Sequence, residues 1–256
     1  MTQPNPFPPG HIEREFGVPF PGRVVEPSKW TQTALRRLPE GLLCWNELFG
    51  RQAPVVLDLG CGNGRYLISS AILRPDHDHL GIDTLPVVIR YARKRANQRG
   101  LGNIKFAVGG ARELLATHIP PHSVTEIHCY HPQPYYDPKK VSLRLITPEF
   151  LALVHRCLIP GGLFVIQTDN PGYWNYIRDV VCYFFDFHER IGRWPDAPRG
   201  RTRREIVAMK HNLPIFRGHG TAKMDLSEDE ALRWAQALPP PVFDADRRLR
   251  DLDRLA

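Results

Sequence analysis

Short apolar runs alternate along the chain with stretches whose apolar residues recur at helical spacing. Residues 54–59, 79–83, 104–108, 123–130 and 163–168 are compact and rich in branched side chains, and they predict five strands. Between them, residues 65–73, 86–99, 111–117 and 148–158 predict helices. Gly100 stands where a helix ending at Arg99 calls for a left-handed residue. Thr147 and Pro148 supply an N-cap and a proline at the first helical position. A further helix is expected over 173–185, a strand over 215–223, and a charged helical tail from Ser227 onward. Alternation of this kind specifies an α/β fold built on a mostly parallel sheet. Such sheets bind ligands beyond the carboxyl ends of their strands, so the chemistry is expected at 58–64, 83, 109–111, 131–140 and 168–170.

The two ends read differently. Residues 1–29 carry seven prolines and predict an extended arm outside the core. Residues 30–49, with spaced leucines and aromatics, predict a helix leading into a domain over 30–225, and 226–256 form the tail. From Arg247 to Arg254 arginine and aspartate alternate, as in an exposed, self-paired helix.

Charge sharpens the picture. A formal net charge of +7 favours an anionic partner, with nucleic acid the first candidate. Six arginines (190, 193, 199, 201, 203 and 204) face one acid, Asp196, across residues 190–204, with Trp194 among them. Arginine beside an aromatic suits phosphate pairing and base stacking. A second group, Arg90, Arg93, Lys94, Arg95 and Arg99, reads at least in half as a solvated helix face. The five cysteines contain no CxxC pair, and the histidines at 77, 79, 122, 128 and 131 form no ligand motif. Neither a disulfide framework nor a metal site is therefore expected. No apolar run reaches the roughly 18 residues of a membrane span, and the N-terminus lacks a secretory pattern. A cytoplasmic location is therefore the expectation, with a monomer as the default oligomeric state.

Residues 58–64 read D-L-G-C-G-N-G between a strand and a helix. Gly60, Gly62 and Gly64 allow a tight turn and close approach of a ligand to the backbone. A dinucleotide site is the competing reading, but Arg65 stands near where its fingerprint has a last glycine. Asp58 before the turn suits a cationic amino group better than a pyrophosphate. Asp83, ending the next strand, can accept from ribose hydroxyls with either cofactor.

The loop is very similar to the first motif of class I methyltransferases, and Gly81, Ile82 and Asp83 look like their second. This resemblance implies S-adenosylmethionine as cofactor and a Rossmann-like, seven-stranded sheet. It implies contacts from Asp58, Gly60, Gly62, Gly64, Asp83, Gly110 and Ala111, although Gly110 stands where an Asp or Asn is usual.

The later motifs resemble those of the tRNA (guanine-N7)-methyltransferase family. Gly100–Ile104, Leu114-Leu115, Pro120–Val124, Thr147–Leu151, Pro160–Gly162, Thr168-Asp169, Thr202–Glu205 and Leu213–Phe216 occur in the family's order, and the likeness spans roughly residues 55–223. The resemblance implies methylation of N7 of the variable-loop guanine, position 46 of tRNA. It implies Gln133 in the catalytic position and Asp169, Thr202 and Glu205 around the guanine. Asp137, which stands where the family has lysine, is a further substrate candidate, and the arginine-rich stretch puts Arg201 and Arg203 on phosphates. The departure lies in the proline loop, which reads P-Q-P-Y-Y-D over 132–137 where the family has P-D-P-W-P-K. Guanine N7 loses no proton on methylation, so alignment matters more than a strong base. An amide at 133 can donate to guanine O6. Three readings stay open: an altered but active enzyme, a methyltransferase for another RNA base or a small molecule, and an RNA binder without turnover.

Overall fold

The structure is a computed structural model and describes residues 8–35 and 37–246. The expected helix over 247–254 lies outside the described residues. Two short strands, β1 (Arg14–Glu15) and β2 (Val18–Pro19), pair antiparallel around Phe16 and Gly17. Their φ angles of 49° and 83° match the tight turn that hairpins favour.

The helix expected over 30–49 is confined to α1 (Trp45–Phe49), because Pro39 and Gly41 interrupt the segment before it. Residues 31–35 run instead along a sheet edge. There Leu35 N donates to Phe106 O, Phe106 N donates to Thr33 O, and Asn97 Oδ1 accepts from the Thr33 amide and hydroxyl. An edge strand is thereby covered.

The next elements keep the expected boundaries to within two residues. They are β3 (Val55–Leu59), α2 (Arg65–Leu73), β4 (Asp78–Asp83), α3 (Pro86–Asn97), β5 (Ile104–Val108), α4 (Ala111–Thr117) and β6 (Val124–Tyr130). Thr147 caps α5 (Pro148–Cys157), accepting from the Phe150 amide. Strand β7 (Leu158–Thr168) starts five residues early, because Leu158 already pairs with Val124 before a bulge. Helix α6 (Pro171–Val181) starts two residues earlier and ends four earlier than expected, and a strand not anticipated, β8 (Phe185–Glu189), follows it. A helix not anticipated, α7 (Arg203–Lys210), buries Ile206, Val207 and Ala208 behind its charged face. Strand β9 (Phe216–Ala222) and helix α8 (Glu228–Ala237) complete the described fold.

The seven strands lie in the order β5-β4-β3-β6-β7-β9-β8. Neighbours from β5 through β7 are parallel, and β9 runs antiparallel to both β7 and β8. Chain direction across the sheet reverses between β3 and β6, which opens a crevice at their carboxyl ends. Helices α2 and α3 close one face over Val56, Ile104 and Phe106. Helices α4, α5 and α6 close the other over Leu57, Ile127 and Phe164, with α8 packed on α5.

The arm is not loose over its described part. Phe20 is buried, with the guanidinium carbons of Arg95, Arg99 and Arg65 at 4.4, 4.7 and 5.5 Å from its ring centre. Glu13 pairs with Arg95 and Arg99. Arg95 in α3 and Arg99 just beyond it therefore hold down the arm, while Arg90 and Lys94 stay exposed. No helix among the described residues is long and apolar enough to cross a membrane.

Candidate active site

The crevice between β3 and β6 contains a cavity of about 580 Å³, within the size range of small-ligand sites. Strands β3 and β4 contribute Asp58, Gly60, Gly62, Asp83 and Leu85 to it. The ends of β6 and β7 contribute Tyr130, His131, Gln133 and Asp169, and the start of α7 adds Thr202, Arg203 and Arg204.

The glycine turn leaves its backbone bare toward this space. Gly60 and Gly62 have φ angles of 81° and 52°, and an added Cβ would meet no atom within 4 Å at either. Gly64 serves packing instead, since a Cβ there would lie 2.9 Å from that of Ala92. Asp83 orders the turn, accepting the Gly62 amide at 3.0 Å on Oδ2 and the Leu85 amide at 2.9 Å on Oδ1. Asp58 is buried and its Oδ1 has no partner among the described residues. Burial chiefly, and the nearby charge of Asp83, push its carboxyl up to about 8. A cation set against Asp58 would restore its ionisation. Cys61, in the same turn, is buried among apolar neighbours and its thiol is pushed well up, which leaves it inert.

The opposite end of the cavity is built around Asp169. Its Oδ2 accepts from Arg204 Nε at 2.8 Å and its Oδ1 lies 3.3 Å from His131 Nδ1. Burial would raise this carboxyl, but the histidine hydrogen bond and the Arg204 charge outweigh it and hold the group at about 2. A relay fixes which histidine nitrogen carries the proton. The Trp194 indole only donates, and it donates to Gln167 Oε1 at 2.7 Å. Gln167 therefore turns its amide nitrogen to His131 Nε2, 2.8 Å away, which must accept. The proton sits on Nδ1 and points at Asp169. His131 has a φ of 51° and Tyr135 one of 44°, so the proline loop is held in a costly backbone conformation at its entry and again within it. Arg144, buried, grips it through the carbonyls of Pro134 and Tyr135 and ties it to those of Pro241 and Phe243.

The site residues expected from the sequence thus separate. Asp58, Gly60, Gly62, Asp83, Gln133, Asp169, Thr202 and Arg203 share the cavity, with Gln133 exposed at it between two buried prolines. Gly110 and Ala111 open α4 and do not line it. Asp137 lies outside it, capping a 3-10 turn by accepting the Lys139 amide. Arg201 is drawn inward, not toward phosphates: it pairs with Asp196 at 2.7 Å, donates to the Tyr130 hydroxyl at 2.9 Å and stacks over Trp194.

Glu205 is fully buried behind the cavity. It accepts from Arg217 Nη2 at 2.5 Å and from the Arg201 amide at 2.7 Å. Its position makes it a scaffold for the 201–205 turn, because it is sealed from the cavity that Asp169 lines and spends its oxygens on protein donors. Glu205→Ala is expected to cost about 3 kcal/mol by stranding Arg217, and to lower the thermal midpoint by roughly 6–12 °C. A midpoint unchanged in a melting curve would contradict that role. The relay of His131, Gln167 and Trp194 was not legible in the sequence, since its members are 36 and 27 residues apart along the chain. Among the described residues no cluster of three or more His, Cys, Asp or Glu side chains could hold a metal.

Comparison with known proteins agrees with this geometry. The family model described as "Putative methyltransferase" matches residues 52–217. The chain is 36% identical over 153 residues to the tRNA (guanine-N(7)-)-methyltransferase of Arthrobacter sp. (strain FB24), covering 59% of this chain but 48% of that protein. It is 32% identical over 172 residues to the protein of that name from Alkalilimnicola ehrlichii, covering 67% of this chain and 73% of the relative. The match to that from Alcanivorax borkumensis is 32% over 191 residues, covering 75% and 79%. Among solved structures, the 16S rRNA methyltransferase KamB superposes with a TM-score of 0.56 at 15% identity. The superposition covers 75% of this chain and 99% of KamB, and it shows a shared fold.

Proposed function

Because the chain belongs to the tRNA (guanine-N7)-methyltransferase family, we propose that it methylates N7 of a guanine in tRNA, the variable-loop guanine at position 46, with S-adenosylmethionine as donor. The observation that carries this reading is a single cavity holding both the Asp58 glycine turn and the Asp169 carboxylate. The residues fit the cofactor: Asp58 is an orphaned acceptor for an ammonium group, and the open faces of Gly60 and Gly62 accommodate a chain laid along the backbone. Asp83 keeps lone pairs for ribose hydroxyls after bonding two amides.

S-adenosylmethionine would supply an electrophilic methyl group: guanine N7 takes it with its own lone pair and loses no proton, while the sulfur–methyl bond breaks onto sulfur and S-adenosylhomocysteine leaves. The protein's task is then alignment. Asp169 accepts from guanine N1–H and N2–H₂, and the relay through His131 keeps its oxygens aimed. Gln133 donates its amide to O6. Arg203 and Arg204 bring positive charge to the mouth for the flanking phosphates, so RNA affinity should fall steeply with salt.

The test is transfer of labelled methyl to unmodified tRNA, with nucleoside analysis of the product. Label is expected in 7-methylguanosine, reduced about tenfold in Gln133→Ala by loss of one hydrogen bond to the base. Label in another nucleoside would reassign the substrate. No label despite cofactor binding would sink the enzyme reading in favour of an RNA binder.

A further inference from the structure

The arm hairpin reaches the glycine turn itself. Glu15 is buried, and its Oε1 accepts from Asn63 Nδ2 at 2.6 Å. Asn63 lies between Gly62 and Gly64, and its own Oδ1 accepts the Arg65 amide at 3.2 Å. The asparagine is thus held at both ends of its amide. Arg65, buried at the first position of α2, joins three segments: Nη1 to Glu15 at 3.3 Å, Nη2 to Pro19 O at 2.6 Å, and Nε to Gly200 O at 3.5 Å. Glu15 also meets Arg95, which lines the cavity, at 3.3 Å. On its other side the hairpin tip, Phe16, lies 4.8 Å beneath the guanidinium of Arg203, another cavity residue. One short strap therefore touches both the cofactor turn and the start of α7.

We infer that the strap is a working part of the cofactor site and that Glu15 is its positioning residue, acting through Asn63 on the turn that receives S-adenosylmethionine. This rests on the cofactor reading above. Three glycines make the turn intrinsically loose, and an ordered turn binds more tightly because less motion is lost on binding. The carboxylate is required as such: an amide at position 15 cannot accept from Asn63 and Arg65 on separate oxygens. The arginine at position 65 is explained by the same geometry, as the post to which the strap is tied.

The experiment is calorimetric titration of S-adenosylhomocysteine into the whole protein and into Glu15→Gln, Asn63→Ala and Glu13→Gln, with a melting curve for each. Glu15→Gln and Asn63→Ala are expected to raise the dissociation constant about tenfold, the loss of one charge-assisted hydrogen bond. Glu13→Gln, which loosens the arm on Arg95 and Arg99 without touching the turn, should lower the melting midpoint and shift affinity less than twofold. Should Glu15→Gln fail to fold, Asn63→Ala carries the test, since it leaves the buried ion pairs in place. Unchanged affinity in Asn63→Ala overturns the strap's role while leaving the cofactor reading intact. No binding by the unaltered protein overturns both.

Discussion

Asp58→Asn is expected to raise the dissociation constant for S-adenosylmethionine by about a hundredfold at pH 8, and to make the ligand-free protein more heat-stable. Both effects have one origin. The carboxyl is buried without a partner beside Asp83, and its ordinary value of 3.8 is pushed to about 8. Facing an ammonium group it ionises and forms a charge-assisted hydrogen bond in a cavity of low dielectric, the kind of contact worth about 1.5–3 kcal/mol. An asparagine amide offers neither charge nor comparable strength. The proton linkage gives a second signature. Below about pH 8 the free protein must release a proton to bind the cation, so affinity should strengthen from pH 6 to pH 8 in the native protein and lose that slope in the variant.

The stability sign is opposite. The folded carboxyl holds its proton more tightly than the unfolded one, so its contribution is fully present below about pH 4 and is lost as pH rises toward 8. Asparagine carries no such loss, so the midpoint of the ligand-free variant should lie above that of the native protein at pH 8, with the gap narrowing as pH falls toward 4. Calorimetry and melting curves at the two pH values decide the matter; equal affinities at pH 8 would remove Asp58 from the cofactor site.

Asp169→Asn should cost about a hundredfold or more in kcat/KM for tRNA while leaving S-adenosylhomocysteine affinity within twofold. At about 2 the carboxyl is ionised throughout the working range, and it is an acceptor only. An asparagine in its place keeps one acceptor oxygen and turns an NH₂ donor either toward guanine N1–H and N2–H₂ or toward one of the two protein donors now held, so binding and orientation fail together. Replacing the target guanine by inosine, which lacks the N2 amino group, separates reading from general damage. The native protein should discriminate strongly against inosine, and the variant should not. Equal discrimination by both proteins would move base recognition elsewhere.

Much of this architecture was legible because it is local. The runs at 55–59 and 104–108 and the helices at 65–73 and 111–117 announce themselves through periodicity and end at glycines or caps. Asp58 and Asp83 come together because β3 and β4 are adjacent and parallel, so their strand-end acids are brought to one edge. Two of the misses are products of distance. Glu205 looked like a base-reading acid beside Thr202, yet its partner Arg217 arrives from β9 and buries it. The arm's prolines suggested an extended segment, and only the α3 arginines, some eighty residues on, give Glu13 and Phe20 something to bind. Asp137 is a local miss: its carboxylate caps the turn that follows the loop by accepting the Lys139 amide, and it does not line the cavity.

The clamp at Arg144 has a bearing on how the protein comes to exist at all. Its guanidinium holds Pro134 and Tyr135 on one side and Pro241 and Phe243 on the other, and Asn170 donates to the Ala245 carbonyl nearby. During synthesis the glycine turn and its acids emerge early, and the central strands can assemble around them as they leave the ribosome. The loop carrying Gln133 gains its last anchors only when residues 241–245 appear. The nascent chain thus reaches a cofactor-ready sheet well before it has a finished place for a base, and the tRNA-rich surroundings of its birth meet a closed site only once residues 241–245 have been added.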